Sequence, residues 1–272
     1  MGGSVLVGLD GTVSCAPAVR WGAEEAAARG LPLHFLHSWA SPPGTVPLSR
    51  DAAVQQRYGA EVLAAAEDAA HGWHPGIAVT GEQVSTQAVD ALVDRGRGAT
   101  LTVLGSRGHG AIAGFLLGSV SLHVLGRAEC PVVTVREEEG TAVGALPEIV
   151  VGVQGAGQDD EPVLDFAFTA ADAHGARLRA VHATAPEAAG LPPEERPTLA
   201  DVLGPWRAKF PAVDVAEELR CGRVEPVLLA ACTPSGLLVI GRRVQRSPML
   251  LGPVVLAVLH HARCPVAVVP RR

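Results

Sequence analysis

The chain alternates between two kinds of segment, and this alternation predicts an α/β fold. Short aliphatic runs have the length and branching of strands that are buried on both faces of a sheet. In the first half these runs are residues 4–9, 32–38, 77–83, 101–105 and 131–135. Alanine-rich stretches with helical spacing lie between them, at residues 16–29, about 50–71, 85–95 and within 119–127. Strands and helices in this order form a parallel sheet with right-handed crossovers and helices on both faces.

The same pattern occurs a second time in the second half. Pro17 and Pro162 stand at matching points 145 residues apart, and Cys130 and Cys264 stand at matching points 134 residues apart. The falling offset means that the loops of the second copy are shorter, while the elements keep their order. A repeat of this size matches a common domain length.

The repeat predicts the domain organisation. We expect two tandem Rossmann-like domains, each an open five-stranded parallel sheet with helices on both faces. The first covers residues 1–139, a linker covers residues 140–147, and the second domain covers residues 148–272. Ligands of such sheets bind beyond the carboxyl ends of the strands, where the strand order reverses.

Composition excludes several classes of protein. The chain of 272 residues has a net charge of −6 and no block of like charges, which argues against a nucleic-acid partner. The most apolar stretch, residues 249–259, is far shorter than the ~20 residues of a membrane-spanning helix. No basic stretch of a signal peptide opens the chain, and the five cysteines contain no C-x-x-C pair. We therefore expect a reduced cytoplasmic protein with no membrane partner and no metal-ligand cluster.

A glycine-rich segment after the fourth strand has the features of a phosphate loop. It reads Gly105-Ser106-Arg107-Gly108-His109-Gly110, and Gly118-Ser119 follows at the start of the next helix. Glycines let the backbone turn tightly and approach a ligand, and the free N–H groups of a helix start favour anions. The Ser119 hydroxyl can cap the helix or donate to a phosphate, and Arg107 adds positive charge. The segment predicts an anion site built mainly from main-chain donors.

Together with Gly8-Leu9-Asp10-Gly11 after the first strand, this spacing resembles the universal stress protein family. The likeness is to its tandem two-domain form and, in the first half, to its ATP-binding branch. It covers nearly the whole chain, including the Cys-Pro-Val motif before the fifth strand of both halves. The resemblance implies a stress-response protein whose partner is an adenine nucleotide. It also implies that the fifth strands pair across a dimer, so we expect residues 131–135 and 265–269 to pair within this chain, and any homodimer to use other faces.

The resemblance also implies which residues bind ATP. Asp10, with Gly8 and Leu9, contacts the ribose or the adenine, and the backbone at Ser38 recognises adenine. Leu104 lines the base. The phosphates are held by Gly105, Arg107, Gly108, Gly118, Ser119 and Val120. A divalent metal such as Mg²⁺ accompanies the phosphates, although no dedicated metal ligand is visible.

The second half departs from this pattern at the positions that matter. Gln154 replaces the acid after the first strand, and Val244 stands where the loop needs a glycine. Gly252 is followed by Pro253, which has neither an N–H group nor a hydroxyl. The sequence therefore predicts a degenerate nucleotide site in the second domain.

Three functions are compatible with the sequence. The first is a regulatory protein in which ATP in the first domain sets conformation or partner binding. The second is a slow ATP hydrolase or nucleotide-transfer enzyme, for which His109 is the one nearby base. The third is an interaction scaffold without nucleotide. We expect no catalytic residue. We expect His37 and His182, at equivalent strand ends, to pack or to hydrogen-bond the backbone rather than to act as acids or bases.

Overall fold

The computed structural model describes residues 3–40, 52–106, 118–136, 146–154, 160–184, 198–232, 236–243 and 251–271. Contacts divide the chain into two compact units, Met1–Glu137 and Glu138–Arg272. Each unit is an open parallel sheet of five strands covered by helices. Most of the predicted linker, residues 140–147, lies outside the described residues.

The first unit has the strand order β3-β2-β1-β4-β5, and the strands run parallel. Its strands are β1 (Val5–Leu9), β2 (Leu33–Ser38), β3 (Val79–Val84), β4 (Leu101–Gly105) and β5 (Val132–Val135). Its helices are α1 (Ala16–Arg29), α2 (Ala52–Trp73), α3 (Ala88–Gly96) and α4 (Ser119–Arg127). Helices α1 and α2 pack together on the sheet, as do α3 and α4, which gives two helical layers.

The second unit repeats this order as β8-β7-β6-β9-β10, again parallel. Its strands are β6 (Glu148–Gly152), β7 (Arg177–Thr184), β8 (Val215–Cys221), β9 (Leu237–Arg243) and β10 (Val266–Arg271). Its helices are α5 (Glu161–His174), α6 (Leu199–Lys209), α7 (Val224–Ala231) and α8 (Pro253–His261). The α/β class and the tandem arrangement predicted from the sequence are confirmed.

The core of the first unit lies along its central strands. Val5, Leu6 and Val7 of β1 are at most 1% exposed, which explains why this strand is apolar on both faces. Helix α1 packs closely on β1 because Gly22 has no side chain: a Cβ there would lie 2.5 Å from a methyl group of Val7. The helix ends at Gly30 in the left-handed conformation, with φ 62°, as predicted.

Strand β3 does not have the two buried faces that the sequence predicted. Thr80 and Gly81 are exposed, and the remaining residues of the strand are half-buried. The reason is the strand order, since β3 is the edge of its sheet and pairs only with β2. Helix α3 begins at Ala88, three residues later than expected at residue 85.

The strand order places a reversal point beside β1. The chain passes from β1 to β2 on one side, whereas β4 lies on the other side of β1. At the carboxyl ends of β1 and β4, the loops that follow the two strands therefore run in opposite directions and leave a crevice between them.

Candidate functional site

A crevice of about 240 Å³ opens at this reversal point in the first unit, and we call it the first crevice. Nine of the eleven residues predicted to bind nucleotide line it: Gly8, Leu9, Asp10, Ser38, Leu104, Gly105, Gly118, Ser119 and Val120. The other two, Arg107 and Gly108, lie outside the described residues. The volume approaches the ~300 Å³ at which ligand pockets begin.

The first crevice has one acidic lining residue among those described, Asp10. Its Oδ1 accepts hydrogen bonds from the Thr12 N–H at 2.8 Å and from the Thr12 hydroxyl at 2.7 Å. Gly11, between them, has φ 78°, a conformation that favours glycine. The Tyr58 hydroxyl on α2 donates to the Gly11 carbonyl at 2.7 Å, which ties this loop to a neighbouring helix. These hydrogen bonds thus hold the turn that carries the Asp10 carboxylate, which lines the first crevice.

Cys15 also contacts this carboxylate, which sequence reasoning did not find. Its thiol donates to Asp10 Oδ1 at 2.8 Å, and its sulfur accepts from the Asp10 N–H at 3.1 Å. Burial, together with the neighbouring Asp10, raises the pKa of Cys15 to about 12, so the thiol stays protonated. The one signal in the sequence for this contact is the position of Cys15 directly before α1, the helix that follows the loop after β1.

Gly105 and the start of α4 form another part of the first crevice. A Cβ on Gly105 would lie 2.7 Å from the Ser14 carbonyl oxygen, so the loop after β1 can approach only a glycine. Helix α4 begins at Ser119, with Gly118 as the residue before it in an extended conformation. Of the two roles considered for the Ser119 hydroxyl, capping does not occur: Ser119 is the first helical residue, and in the described part of the chain no side chain caps α4. Main-chain N–H groups of the first turn therefore border the crevice and favour an anion.

Part of the wall of the first crevice is apolar. It includes Leu36, Ala40, Ala88, Leu92 and Leu104, of which only Leu104 was predicted. Ala88 and Leu92 lie one turn apart on α3 and share a face, a spacing that could have marked them as core residues but not as lining. Gly8 makes room for the wall, since a Cβ there would lie 2.8 Å from Leu104 Cδ2.

The side chain of Ser38 forms a hydrogen bond within the protein. Its hydroxyl donates to the Thr86 carbonyl at 2.6 Å, so the side chain is engaged in holding the loop after β3. Ser38 lines the first crevice, and recognition of adenine by its backbone stays a prediction. His37 and His182 bind the backbone as predicted, with Nδ1 donating to the carbonyl of Leu9 at 3.0 Å and of Val153 at 2.8 Å.

The described residues contain no group of three or more His, Cys, Asp or Glu side chains arranged to hold a metal ion. In that same part of the chain, no helix combines the length and the apolar character needed to cross a bilayer.

The corresponding region of the second unit, beyond β6 and β9, contains a buried ion pair. Arg271 Nη2 lies 2.6 Å from Asp160 Oδ1, and both side chains are only 4% exposed. The guanidinium lies over Gly241, where a Cβ would come within 2.6 Å of Arg271 Cζ. Asp160 also accepts from the Gln154 N–H at 2.7 Å. The chain's own side chains therefore cover the glycine that matches Gly105 of the first unit.

The other departures of the second unit fit this picture. Helix α8 begins with Pro253 at its first turn, after Gly252 in an extended conformation. This is the same backbone geometry as at Gly118, but without the N–H group that Ser119 supplies. Val244 lies outside the described residues.

Comparison with known proteins identifies the family. The model of the universal stress protein family matches residues 1–136 and again residues 147–270. A universal stress protein of Mycobacterium tuberculosis is 34% identical over 288 residues, covering 97% of this chain and 96% of its own. The chain therefore belongs to the universal stress protein family, in its tandem two-domain form.

Solved structures agree on the fold. A universal stress protein from Archaeoglobus fulgidus has a TM-score of 0.71 at 17% identity, covering 99% of this chain and 98% of its own. Over 50% of its length the chain is also similar to a universal stress protein solved in complex with cAMP, which is 28% identical and 98% covered, and the TM-score of 0.39 is too low to bear on the fold.

Proposed function

We propose that this protein binds one ATP per chain, in the first crevice, and that occupancy of this site sets its conformation or its binding to a partner protein in a stress response. The observation that carries the proposal is the convergence of three chemistries in one crevice. An acidic turn, an uncapped helix start and an apolar wall all line this crevice.

Each part of ATP has a counterpart in this arrangement. The adenine fits the apolar wall formed by Leu36, Leu92 and Leu104, with the backbone at Ser38 at its edge. The Asp10 carboxylate can accept hydrogen bonds from the ribose hydroxyls. The positive end of the α4 dipole, with the N–H groups of Ser119 and Val120, faces the phosphates.

A divalent metal such as Mg²⁺ fits this site only through the nucleotide. Mg²⁺ keeps several waters and is commonly bound through substrate phosphates rather than by a cage of protein ligands. Among the described residues that line the first crevice, Asp10 is the only acidic one, and we propose it for the ribose. The ion would neutralise phosphate charge, while the protein contributes main-chain donors.

We propose binding rather than hydrolysis as the main activity. Among the described residues that line the first crevice there is no histidine, and the one carboxylate among them is held in its turn by Thr12 and Cys15. His109, the nearby base named from the sequence, lies outside the described residues. An attacking water would need a general base within hydrogen-bond reach of it near the phosphates. Incubation of the purified protein with ATP and Mg²⁺, followed by assay of ADP, tests this directly, and multiple turnovers would favour the hydrolase instead.

The second domain is proposed to take no nucleotide. The Arg271–Asp160 ion pair covers Gly241, and Pro253 lacks the donor that Ser119 provides. Titration calorimetry should therefore give one ATP per chain, and two would contradict the proposal.

The second domain also suggests the sharpest variant. Ser119→Pro gives α4 the start that α8 already has, so the helix should form as before. It removes one N–H group and one hydroxyl from the phosphate end, and we expect ATP affinity to fall at least about tenfold. Ser119→Ala, which removes only the hydroxyl, is the matched control and should weaken binding less. Equal ATP affinities of the wild type and Ser119→Pro would show that α4 is not part of the ATP site.

A further inference from the structure

We propose that Cys15 is a positioning residue, which holds the Asp10 carboxylate in the orientation that receives the ribose hydroxyls. This inference rests on the proposed function, and it assigns to a thiol outside the nucleotide motifs a part in choosing ribose over other sugars. The supporting geometry is local. Cys15 and Asp10 are joined twice, by thiol to carboxylate at 2.8 Å and by backbone N–H to sulfur at 3.1 Å.

The two hydrogen bonds between Cys15 and Asp10 differ from those that Thr12 donates to the carboxylate in the part of the unit to which they connect it. Both Thr12 donors lie in the same turn as Asp10, so they orient the carboxylate within the turn but move with it. Cys15 is buried, at 8% exposed, and directly precedes α1, which packs on β1 and β4. The thiol therefore fixes the carboxylate relative to the core of the unit rather than relative to its own loop.

The thiol is suited to this role because it keeps its proton. With a pKa of about 12, Cys15 is a donor throughout the physiological range, and Asp10 is its acceptor. A serine at this position could donate in the same way, whereas alanine could not. Cys15→Ser and Cys15→Ala therefore separate hydrogen bonding from occupancy of space.

The second unit contains an internal comparison at the same position. Asp160 matches Cys15, since both directly precede the helix after the first strand, and its carboxylate accepts from the Gln154 N–H at 2.7 Å. The backbone-to-side-chain bond is thus preserved while the chemistry is reversed. An ionised carboxylate at this position cannot donate to an acid on the preceding turn and would repel it. In the first unit, the acid Asp10 follows the first strand and the donor Cys15 precedes the helix. In the second unit, Gln154 follows the first strand and the acid Asp160 precedes the helix.

Binding of two nucleotides to the full-length chain tests the inference. ATP carries both ribose hydroxyls, and 2′,3′-dideoxy-ATP carries neither, so the second ligand makes no hydroxyl contact with Asp10. Cys15→Ala should weaken ATP about fivefold and leave 2′,3′-dideoxy-ATP unchanged, while Cys15→Ser stays within about twofold of the wild type for both. Asp10→Asn should lower the ATP to dideoxy-ATP preference at least as much as Cys15→Ala.

The matched control is Cys130→Ala. Cys130 is another buried cysteine of the same unit, 7% exposed, and its sulfur lies 3.3 Å from the Thr102 hydroxyl, away from the first crevice. This variant should change thermal stability as Cys15→Ala does but leave both affinities unchanged.

The outcomes separate the two proposals. Equal weakening of ATP and dideoxy-ATP by Cys15→Ala, or no weakening of either, overturns the positioning role while the ATP site stands. A wild-type protein that binds neither nucleotide overturns the proposed function and the inference together.

Discussion

Replacement of Arg271 with methionine removes the cation that faces Asp160 in the second unit. The two groups lie 2.6 Å apart, and each side chain is only 4% exposed. Methionine keeps much of the length of the arginine stem but has no charge. The variant therefore leaves the Asp160 carboxylate buried without that cation, and among the described residues the donor that stays is the Gln154 N–H.

The expected cost is large for a single side chain. Removing one partner of a buried ion pair costs about 3–5 kcal/mol, because the charge that stays behind has lost its compensation. For a unit of this size, a fall of about 4 °C in Tm accompanies each kcal/mol. The second unit should therefore melt at least about 10 °C lower. Combining Arg271→Met with Asp160→Asn removes both charges and should recover most of the loss.

Differential scanning calorimetry of the full chain measures the change, and hydrogen exchange localises it. Exchange should accelerate in α5 and β10 but not in α1 and β1. Arg177→Met is the control, because its ion pair with Asp214 is exposed, at 55% and 78%, and should be worth less than about 1 kcal/mol. A loss below about 1 kcal/mol in Arg271→Met, or a double variant as unstable as the sum of its parts, would refute the reasoning.

Two further predictions concern the first unit. Hydrogen bonds from Arg95 hold the pKa of Glu82 below its ordinary 4.5, so the pair stabilises the fold above that pH and its contribution is lost as pH falls through the lowered pKa. Urea unfolding should thus show Glu82→Gln as less stable than the wild type at pH 7 and nearly equal to it at pH 3, whereas a constant difference at both would contradict the assignment. Gly105→Ala should weaken ATP at least about tenfold in titration calorimetry, because its Cβ would push against the Ser14 carbonyl at 2.7 Å. Gly98→Ala should have no effect, because its Cβ would meet the Arg95 carbonyl oxygen at an ordinary contact distance of 3.8 Å. Unchanged affinity in Gly105→Ala would mean that the loop after β1 is not part of the site.

Much of the fold could be predicted because its signals are local. The strand at residues 101–105 and the helix at residues 16–29 have the predicted bounds, since branched aliphatic runs and a terminal glycine mark them in the sequence. The burial of β3 could not be predicted, because a strand becomes an edge only through the order of the whole sheet.

The candidate site divides in the same way. Its glycines and the start of α4 form one motif, so spacing alone brings them together. Cys15 and Leu92 enter the first crevice through the packing of α1 and α3, which no short pattern encodes. The pairing of Asp160 with Arg271 joins residues from opposite ends of the second unit, and the sequence shows neither partner as special.

The hydroxyl contact between Tyr58 and the Gly11 carbonyl has a practical consequence. Tyr58 is the single tyrosine of the 272 residues, and it sits on the turn that holds Asp10. Biosynthetic incorporation of fluorotyrosine would label the molecule at that spot alone and produce one fluorine NMR signal. A resonance of this kind reports the state of the turn without any engineered tag, and it can be followed inside intact cells while conditions change around them.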